Sequence, residues 1–421
     1  MPVTQTTAVA PGAYFGLPTW LPGAGTQFFE GFDSDQDFAV TINQSSVQTV
    51  NGLSEFTQDN IVFYWTLEWS ISQTITAGTS TITTSPHFPF NYIGDFSVSL
   101  QSQYSNVEVL TGWMLLLFNL LRPQRGRQAF RGMQGANAAN VNGTPWNSGA
   151  QPTNLIATPS PVETDTTIVF SLDVPASMYF DRYWDVDIEG NINPTSPGPV
   201  IAQVSPQYMA GAARQVTPKV QMSPAFGSGL DTSPYNASTG TATAVCSATA
   251  TVRRNGVYST NNPEVDPPIW NWQAQHIEKQ YSLSGRSQRN ILLDEYGQIT
   301  GIILSFWDPS ANSGLGAPID LSTALTSAKL TYGSALSRFD DTALSAQRRF
   351  FDQHGFLPPK GTLFWDLAID PDGSGKITNA YSLNTLVMAS CTVQLKFSSA
   401  LSSTAYVNIG YEMLKFVMAG S

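Results

Sequence analysis

Charge is scarce in this chain. Asp, Glu, Lys and Arg make up 12% of its 421 residues, about half the usual quarter. Helix bundles need charged outer faces, so this composition suits them poorly. Basic residues are scarcer still: 20 Lys and Arg stand against 31 Asp and Glu, a net charge of −11. A nucleic-acid binder needs a basic surface to release counterions, so no direct sequence-specific nucleic-acid binding is expected. Residues 1–121 hold no Lys or Arg at all. Cysteine is limited to Cys246 and Cys391, which excludes a disulfide framework and a zinc ribbon. Both fall on apolar strand faces and are expected as reduced, buried thiols. Long apolar runs are missing too. The longest, "WMLLLFNLL" from Trp113 to Leu121, is too short to cross a bilayer and reads as a buried strand. The start, "MPVTQTTAVAPGAYFG", has no positive n-region and no apolar h-region, so no signal peptide is expected.

Catalytic spacing is absent as well. His87, His276 and His354 lie far apart in sequence, with neither HExxH nor His-x-His spacing, so a metal site is unsupported. There is no GxSxG elbow, no Walker A loop and no GxGxxG after a strand. Asp366 and Asp370 sit four apart on one strand face. Paired acids serve glycosidases, but a solvated strand face explains these two. The stretch "DPDGSGKITNAY", Asp370–Tyr381, imitates a calcium loop. Asp370, Asp372 and Ser374 fall where such a loop places its oxygen ligands, but Tyr381 stands where the closing bidentate Glu belongs. The flanking segments have a period of two, so a β-hairpin turn explains the same letters. The expectation is no catalytic residue, no cofactor and no metal. Asn43, Asn142 and Asn236 head Asn-x-Ser/Thr sequons, read as chance in a chain rich in Asn and Ser.

Strand signals fill what remains. In "IVFYWTLEWSIS", Phe63, Trp65, Leu67, Trp69 and Ile71 alternate with polar residues. "DFSVSLQ", "TTIVFSLDV", "TATAVCSATATV", "QITGIILSFWD", "TLFWDLAID", "ASCTVQLKF" and "AYVNIGYEMLKFV" read the same way. Gly and Pro total 60 and supply the turns. Two soft stretches interrupt, 122–163 and 223–240, the first read as an extended loop. The pattern is all-β, in two tandem domains of one class. The first spans 1–240 with the long loop 122–163. The second spans 241–421 with one helix at about 341–354. That helix, "DDTALSAQRRFFDQHG", has Asp340 or Asp341 as its expected N-cap and Gly355 as its stop. Ala343, Ala346 and Phe350 share its inner face, with Leu344 and Phe351 beside them. Arg348 and Arg349 lie toward its C-terminal end, where the dipole favours cations. The 10 Trp include "IWNW" at Ile269–Trp272. Exposed Trp pairs form sugar platforms, so a carbohydrate-binding or adhesive β-sandwich is the alternative reading; a sandwich core or subunit interface is preferred. Arg122, Arg125, Arg127 and Arg131 open the soft loop. They are either solvated cations in an acidic half or a contact for an acidic neighbouring subunit or anionic lipid heads.

The last part of the chain carries a resemblance. "AQRRFFDQHGFLPPKGTLFWDLAI", then "YSLNTLV", then "LSSTAYVNIGYEML" resemble the closing region of the double jelly-roll major capsid proteins of tectivirus-like, membrane-containing icosahedral viruses. The matching elements are Arg348–Arg349, the turn Pro359–Lys360–Gly361, and Gly410–Tyr411–Glu412 in the final strand. Earlier, "FNYIGDFSVSLQ" with "TGWMLLLFN" resembles the family's strand, turn and Gly-Trp strand. "VPASMYFDRYWDVDIEGNI" through "IAQVSPQ" resembles its later strands. The ordered series covers most of the chain. It implies two tandem jelly-roll β-sandwiches and a homotrimer of six jelly rolls with a heterologous interface that closes. It also implies a structural role in an icosahedral bacteriophage shell around an internal membrane. The implied partners are further copies of the chain, penton or cement proteins and membrane lipid. The implied location is the virion, after assembly in the host cytoplasm.

Overall fold

Alternating runs such as "DFSVSLQ" cannot bury one face alone; they must pair into sheets and stack. The computed structural model describes residues 26–29, 37–43, 48–50, 60–76, 82–88, 90–100, 104–121, 134–135, 162–175, 204–205, 216–223, 226–227, 233–237, 243–260, 272–293, 297–314, 316–332, 336–354, 357–367, 383–385 and 391–416. Sixteen strands carry the architecture. The first eight are β1 (Asp37–Asn43), β2 (Gln48–Val50), β3 (Asn60–Thr76), β4 (Ile93–Leu100), β5 (Tyr104–Leu110), β6 (Val162–Pro175), β7 (Val216–Met222) and β8 (Thr243–Thr260). The second eight are β9 (Trp272–Ser282), β10 (Gln288–Leu292), β11 (Gln298–Asp308), β12 (Leu325–Tyr332), β13 (Leu336–Asp341), β14 (Thr362–Asp366), β15 (Cys391–Phe397) and β16 (Tyr406–Phe416). Two helices stand in equivalent places, α1 (Gly112–Leu121) after β5 and α2 (Ala343–His354) after β13.

The pairing repeats. In the first unit one sheet runs β1–β8–β3–β6 and the other β2–β7–β4–β5, all antiparallel. In the second unit the sheets run β9–β16–β11–β14 and β10–β15–β12–β13, again all antiparallel. Adding eight to each strand number of the first unit gives the second. Within a unit, successive strands alternate between the two sheets except at the β4–β5 and β12–β13 hairpins. Eight strands in that order form a jelly roll. The chain is a double jelly roll.

β8 closes the first unit although it begins at residue 243, three residues past the stretch that ended the first domain in the sequence reading. Short extra strands fringe both units; Thr26–Phe29 pairs with the far end of β8, and Gln134–Gly135 with β6. The units meet edge to edge. β9 lies parallel to β5 through Ile277 and Val109, so one sheet continues from each unit into the other.

Burial follows the layers. β15 alternates, with Cys391, Val393, Leu395 and Phe397 buried and Lys396 exposed. It has a core face and a solvent face. β14 is buried at every residue, and β16 from Tyr406 to Met413. Their first face packs the core of the second unit, where Ile302, Leu304, Phe306, Trp365, Val407, Ile409 and Tyr411 meet Val393 and Leu395. Each such side chain contributes about 1.5–3 kcal/mol by leaving water. The second face of β16 is covered by α1 of the first unit, and that of β14 by α2, where Phe350 meets Phe364 at 4.5 Å.

Two expectations about helices need correction. Residues 112–121 form a helix, not a strand. The run contains no β-branched residue, and Leu and Met are strong helix formers. Its apolar residues fall on every side of the helix and are buried: Trp113 to Phe118, Leu120 and Leu121 are at most 2% exposed. The N-cap of α2 is Thr342, not Asp340 or Asp341. Thr342 Oγ1 accepts from Ser345 N at 3.2 Å, and Thr342 N donates back to Ser345 Oγ at 2.9 Å, a capping box with Ser in the usual Glu place. Ala343, Ala346 and Phe350 are buried, while Leu344 and Phe351 are exposed. Gly355 lies outside the described residues.

Candidate functional site at the seam between the units

Nothing in the sequence marked the seam, yet it concentrates buried polar groups. α1 belongs to the first unit and contacts β4, β5 and β6 there. It also contacts β11 and β16 of the second unit. Thr111 caps it: Thr111 Oγ1 accepts from Met114 N at 3.1 Å. The Thr111 N–H itself donates to Glu278 Oε2 on β9 at 2.8 Å, placing a carboxylate at the positive end of the helix dipole. Trp113 Nε1 donates to Ser305 Oγ on β11 at 3.1 Å. His87 stacks flat on the Trp113 indole, centroids 3.8 Å apart, and tilts against Trp307 at 4.6 Å. Phe118 meets His276 of β9 edge-on at 4.9 Å.

Two glycines make this approach possible. A Cβ on Gly410 of β16 would sit 2.5 Å from Met114 Sδ and 3.0 Å from the Phe118 ring. A Cβ on Gly112 would collide with the Phe90 carbonyl. Beside β16, His276 and Glu412 face each other across the strand pair and are each 1% exposed. Thr300 Oγ1 donates to the Glu412 carbonyl at 3.1 Å. Phe88, Tyr92 and Tyr235 pack their rings together around the turn Phe90–Tyr92, which contacts α1, and Asn91 Nδ2 donates to the Ser233 carbonyl at 2.7 Å.

A second node holds α2. Asp341, at the end of β13 and 5% exposed, accepts both Arg349 guanidinium nitrogens, at 2.8 and 2.5 Å. It also accepts Trp365 Nε1 at 3.0 Å. Phe339 lies parallel to Trp365 at 5.5 Å, and Arg349 sits over the Phe339 ring at 4.5 Å. The pair is bidentate; its carboxylate is nearly dry, while the Arg349 side chain stays 29% exposed, and the buried acid needs its partners to offset desolvation. Thus Arg349, placed by sequence at the helix dipole, ties the helix to its own sheet; Arg348 is exposed, with a long contact to Asp352. The Pro359–Lys360–Gly361 turn is formed, with Gly361 at φ 75°. A Cβ there would lie 2.8 Å from Pro318 Cβ.

A third polar cluster closes the end of β11. Burial pushes the Asp308 carboxyl up, but hydrogen bonds from Ser402, Ser310 and Thr404 outweigh it and hold the carboxyl below its ordinary range. Asp320, N-cap of the short helix Leu321–Ala324, is likewise lowered, chiefly by the Ser322 hydroxyl. Burial pushes the Cys391 thiol up.

The other residues singled out in the sequence are mostly not described. Arg122, Arg125, Arg127 and Arg131 lie outside the described residues, as do Asp370, Asp372 and Ser374. Asp366 is buried on β14, where every residue is buried, and not on the solvated strand face expected from the sequence; Asp370, the other carboxylate of that pair, lies outside the described residues. Among the described residues no three His, Cys, Asp or Glu side chains group as metal ligands, and no helix is long and apolar enough to cross a membrane. Trp113, Trp307 and Trp365 are interior, at most 2% exposed, so none offers a face to a sugar.

No family model matches the sequence, and no curated protein matches it. Solved structures do. The chain resembles the STIV MCP at 12% identity, over 91% of this chain and 97% of that one, with a TM-score of 0.49. It resembles the major capsid protein P2 from bacteriophage PM2 at 8% identity, over 91% and 100%, with a TM-score of 0.42. It resembles the mavirus major capsid protein at 10% identity, over 99% and 90%, with a TM-score of 0.39. Its structural neighbours are viral major capsid proteins. Double jelly roll as a description of this chain rests on its own strand order.

Proposed function

We propose that the chain is the major capsid protein of an icosahedral, membrane-containing virus that infects bacteria. It acts as a structural part and not as an enzyme. Three copies close head to tail into a ring of six jelly rolls, and trimers then tile a shell with penton or cement proteins. The observation that carries this reading is the repeated strand order with its edge-to-edge joint, β5 beside β9. One chain already joins two equivalent units side by side, so further copies can extend the same step around an axis. The ordered series of sequence elements ending in Gly410–Tyr411–Glu412 supports the same assignment. Low charge suits the wide contacts involved, on the order of 2,000–5,000 Å² for obligate association. The two units divide within 261–271, between β8 and β9. Arg122, Arg125, Arg127 and Arg131 supply cations for an acidic neighbouring subunit or the lipid heads of the internal membrane.

Electron microscopy of the purified protein tests the proposal. Class averages should show six lobes around a threefold axis. Particles with two lobes only would contradict it.

A further inference from the structure

The repeat between the units has a loose end. α1 and α2 occupy the same place in their units, after β5 and after β13. Each contacts its own unit in the same way: α1 packs on β4, β5 and β6, and α2 on β12, β13 and β14. Each starts at a threonine whose hydroxyl accepts the N–H three residues on, at 3.1 Å for Thr111 and 3.2 Å for Thr342. Among the described residues α1 has a second set of neighbours, β11 and β16 of the other unit. The equivalent strands of the first unit are β3 and β8. Among the described residues they make no comparable contact with α2 in the same chain.

The two caps align the helices residue by residue. Trp113 corresponds to Leu344, and Met114 to Ser345. In α1 those two positions face the second unit: Trp113 reaches Ser305, and Met114 lies against Gly410. In α2 they face solvent. Leu344 is 75% exposed, and Ser345 is exposed beside it. Phe351, seven residues after Leu344 and on the same stripe, is 47% exposed. Arg348 and Asp352 complete that face. The most exposed large apolar side chain among the described residues is thus at the position where α1 docks on its neighbour.

We propose that α2 docks on the β3–β8 face of a second copy of this chain, repeating between copies the step that α1 makes on β11 and β16 within one copy. This rests on the self-association proposed above and adds the surface that performs it. The contact is heterologous: the second unit of one copy meets the first unit of the next. Repetition leads to a closed ring when the rotation closes. The partner is the chain itself because, among the described residues, the template for this docking is a sheet of this chain, β11 with β16, and that sheet is already taken by α1.

Photocrosslinking tests the docking directly. Benzoylphenylalanine in place of Leu344 sits at an exposed helix position and leaves the core untouched. Irradiation of the full-length protein should yield covalent species of about twice 45.6 kDa and above. The crosslinked peptides should map to 60–76 or 243–260. Crosslinks to other segments of another copy, or none in protein that has kept its oligomeric mass, would overturn the docking while leaving self-association intact. A double variant, Leu344→Glu with Phe351→Glu, gives the second reading. With an unchanged far-ultraviolet circular dichroism spectrum, its mass should fall about threefold to that of one chain; an unchanged mass would overturn the proposal. A wild-type protein that is itself monomeric would contradict the assembly reading.

Discussion

Asp341 shows how much a single side chain can gather. It receives a guanidinium and an indole N–H in a place almost closed to water. Removing Arg349 strands a buried carboxylate, so Arg349→Ala should lower unfolding stability by about 3 kcal/mol. Urea titration measures it, with the exposed Arg348→Ala as a control expected to change little. Asp308 predicts a pH effect. Its carboxyl is held below the ordinary value of 3.8 when folded. It therefore adds stability above pH 3.8 that is lost as the pH falls through the lower folded value. Melting temperature should drop on acidification through that window, and by less in Asp308→Asn. Cys391, buried and with its thiol pushed up, should resist iodoacetamide in the folded protein and react once it is unfolded. Little at this scale was legible beforehand. Arg349 showed as a helix-end cation because local spacing reveals the dipole; its partners Asp341 and Trp365, 24 residues apart, meet only where two strands of different sheets pack together. His87 and His276 showed only as isolated histidines, since no local pattern announces that both meet one helix.

At the scale of elements, α1 is the instructive case. Its ten residues are apolar but for Asn119, so hydrophobic periodicity has little to register and a short buried strand fits the same letters. What decides is the absence of β-branched residues and the Thr111 cap. The amphipathic α2, by contrast, was readable from its spacing, because one face meets a core and the other does not. Strands with one solvent face, such as β15, were readable for the same reason. β9 was not: "WQAQHIEKQYS" is a central strand whose polar groups serve the seam. Two changes test the role of α1. Thr111→Ala should cost about 1 kcal/mol through the lost cap, read by thermal or urea unfolding. Gly410→Val should cost about 1–3 kcal/mol by overpacking against Met114 and Phe118. Gly410→Val paired with Met114→Ala should recover part of that loss. Full additivity of the two losses would show that the helix does not bear on β16 there.

At the scale of the whole molecule, the all-β class and the tandem of two like units follow from low charge, many turns and strand runs before and after residue 240. The joint itself could not be placed from composition. The soft stretch 223–240 looks like a linker, but β8 beyond it pairs with β1 and β3. A jelly roll ends on a strand that returns to the middle of its first sheet, and no local signal tells a returning strand from a new beginning. The repeat of strand order across eight positions is the feature that makes two units into a building step, and the account stands on that step continuing between copies. The mass of the purified chain in solution, measured by light scattering, tests this most directly. The account predicts a stable species near three times 45.6 kDa, unchanged by a calcium chelator. A single-chain mass of 45.6 kDa at every concentration tried would contradict it.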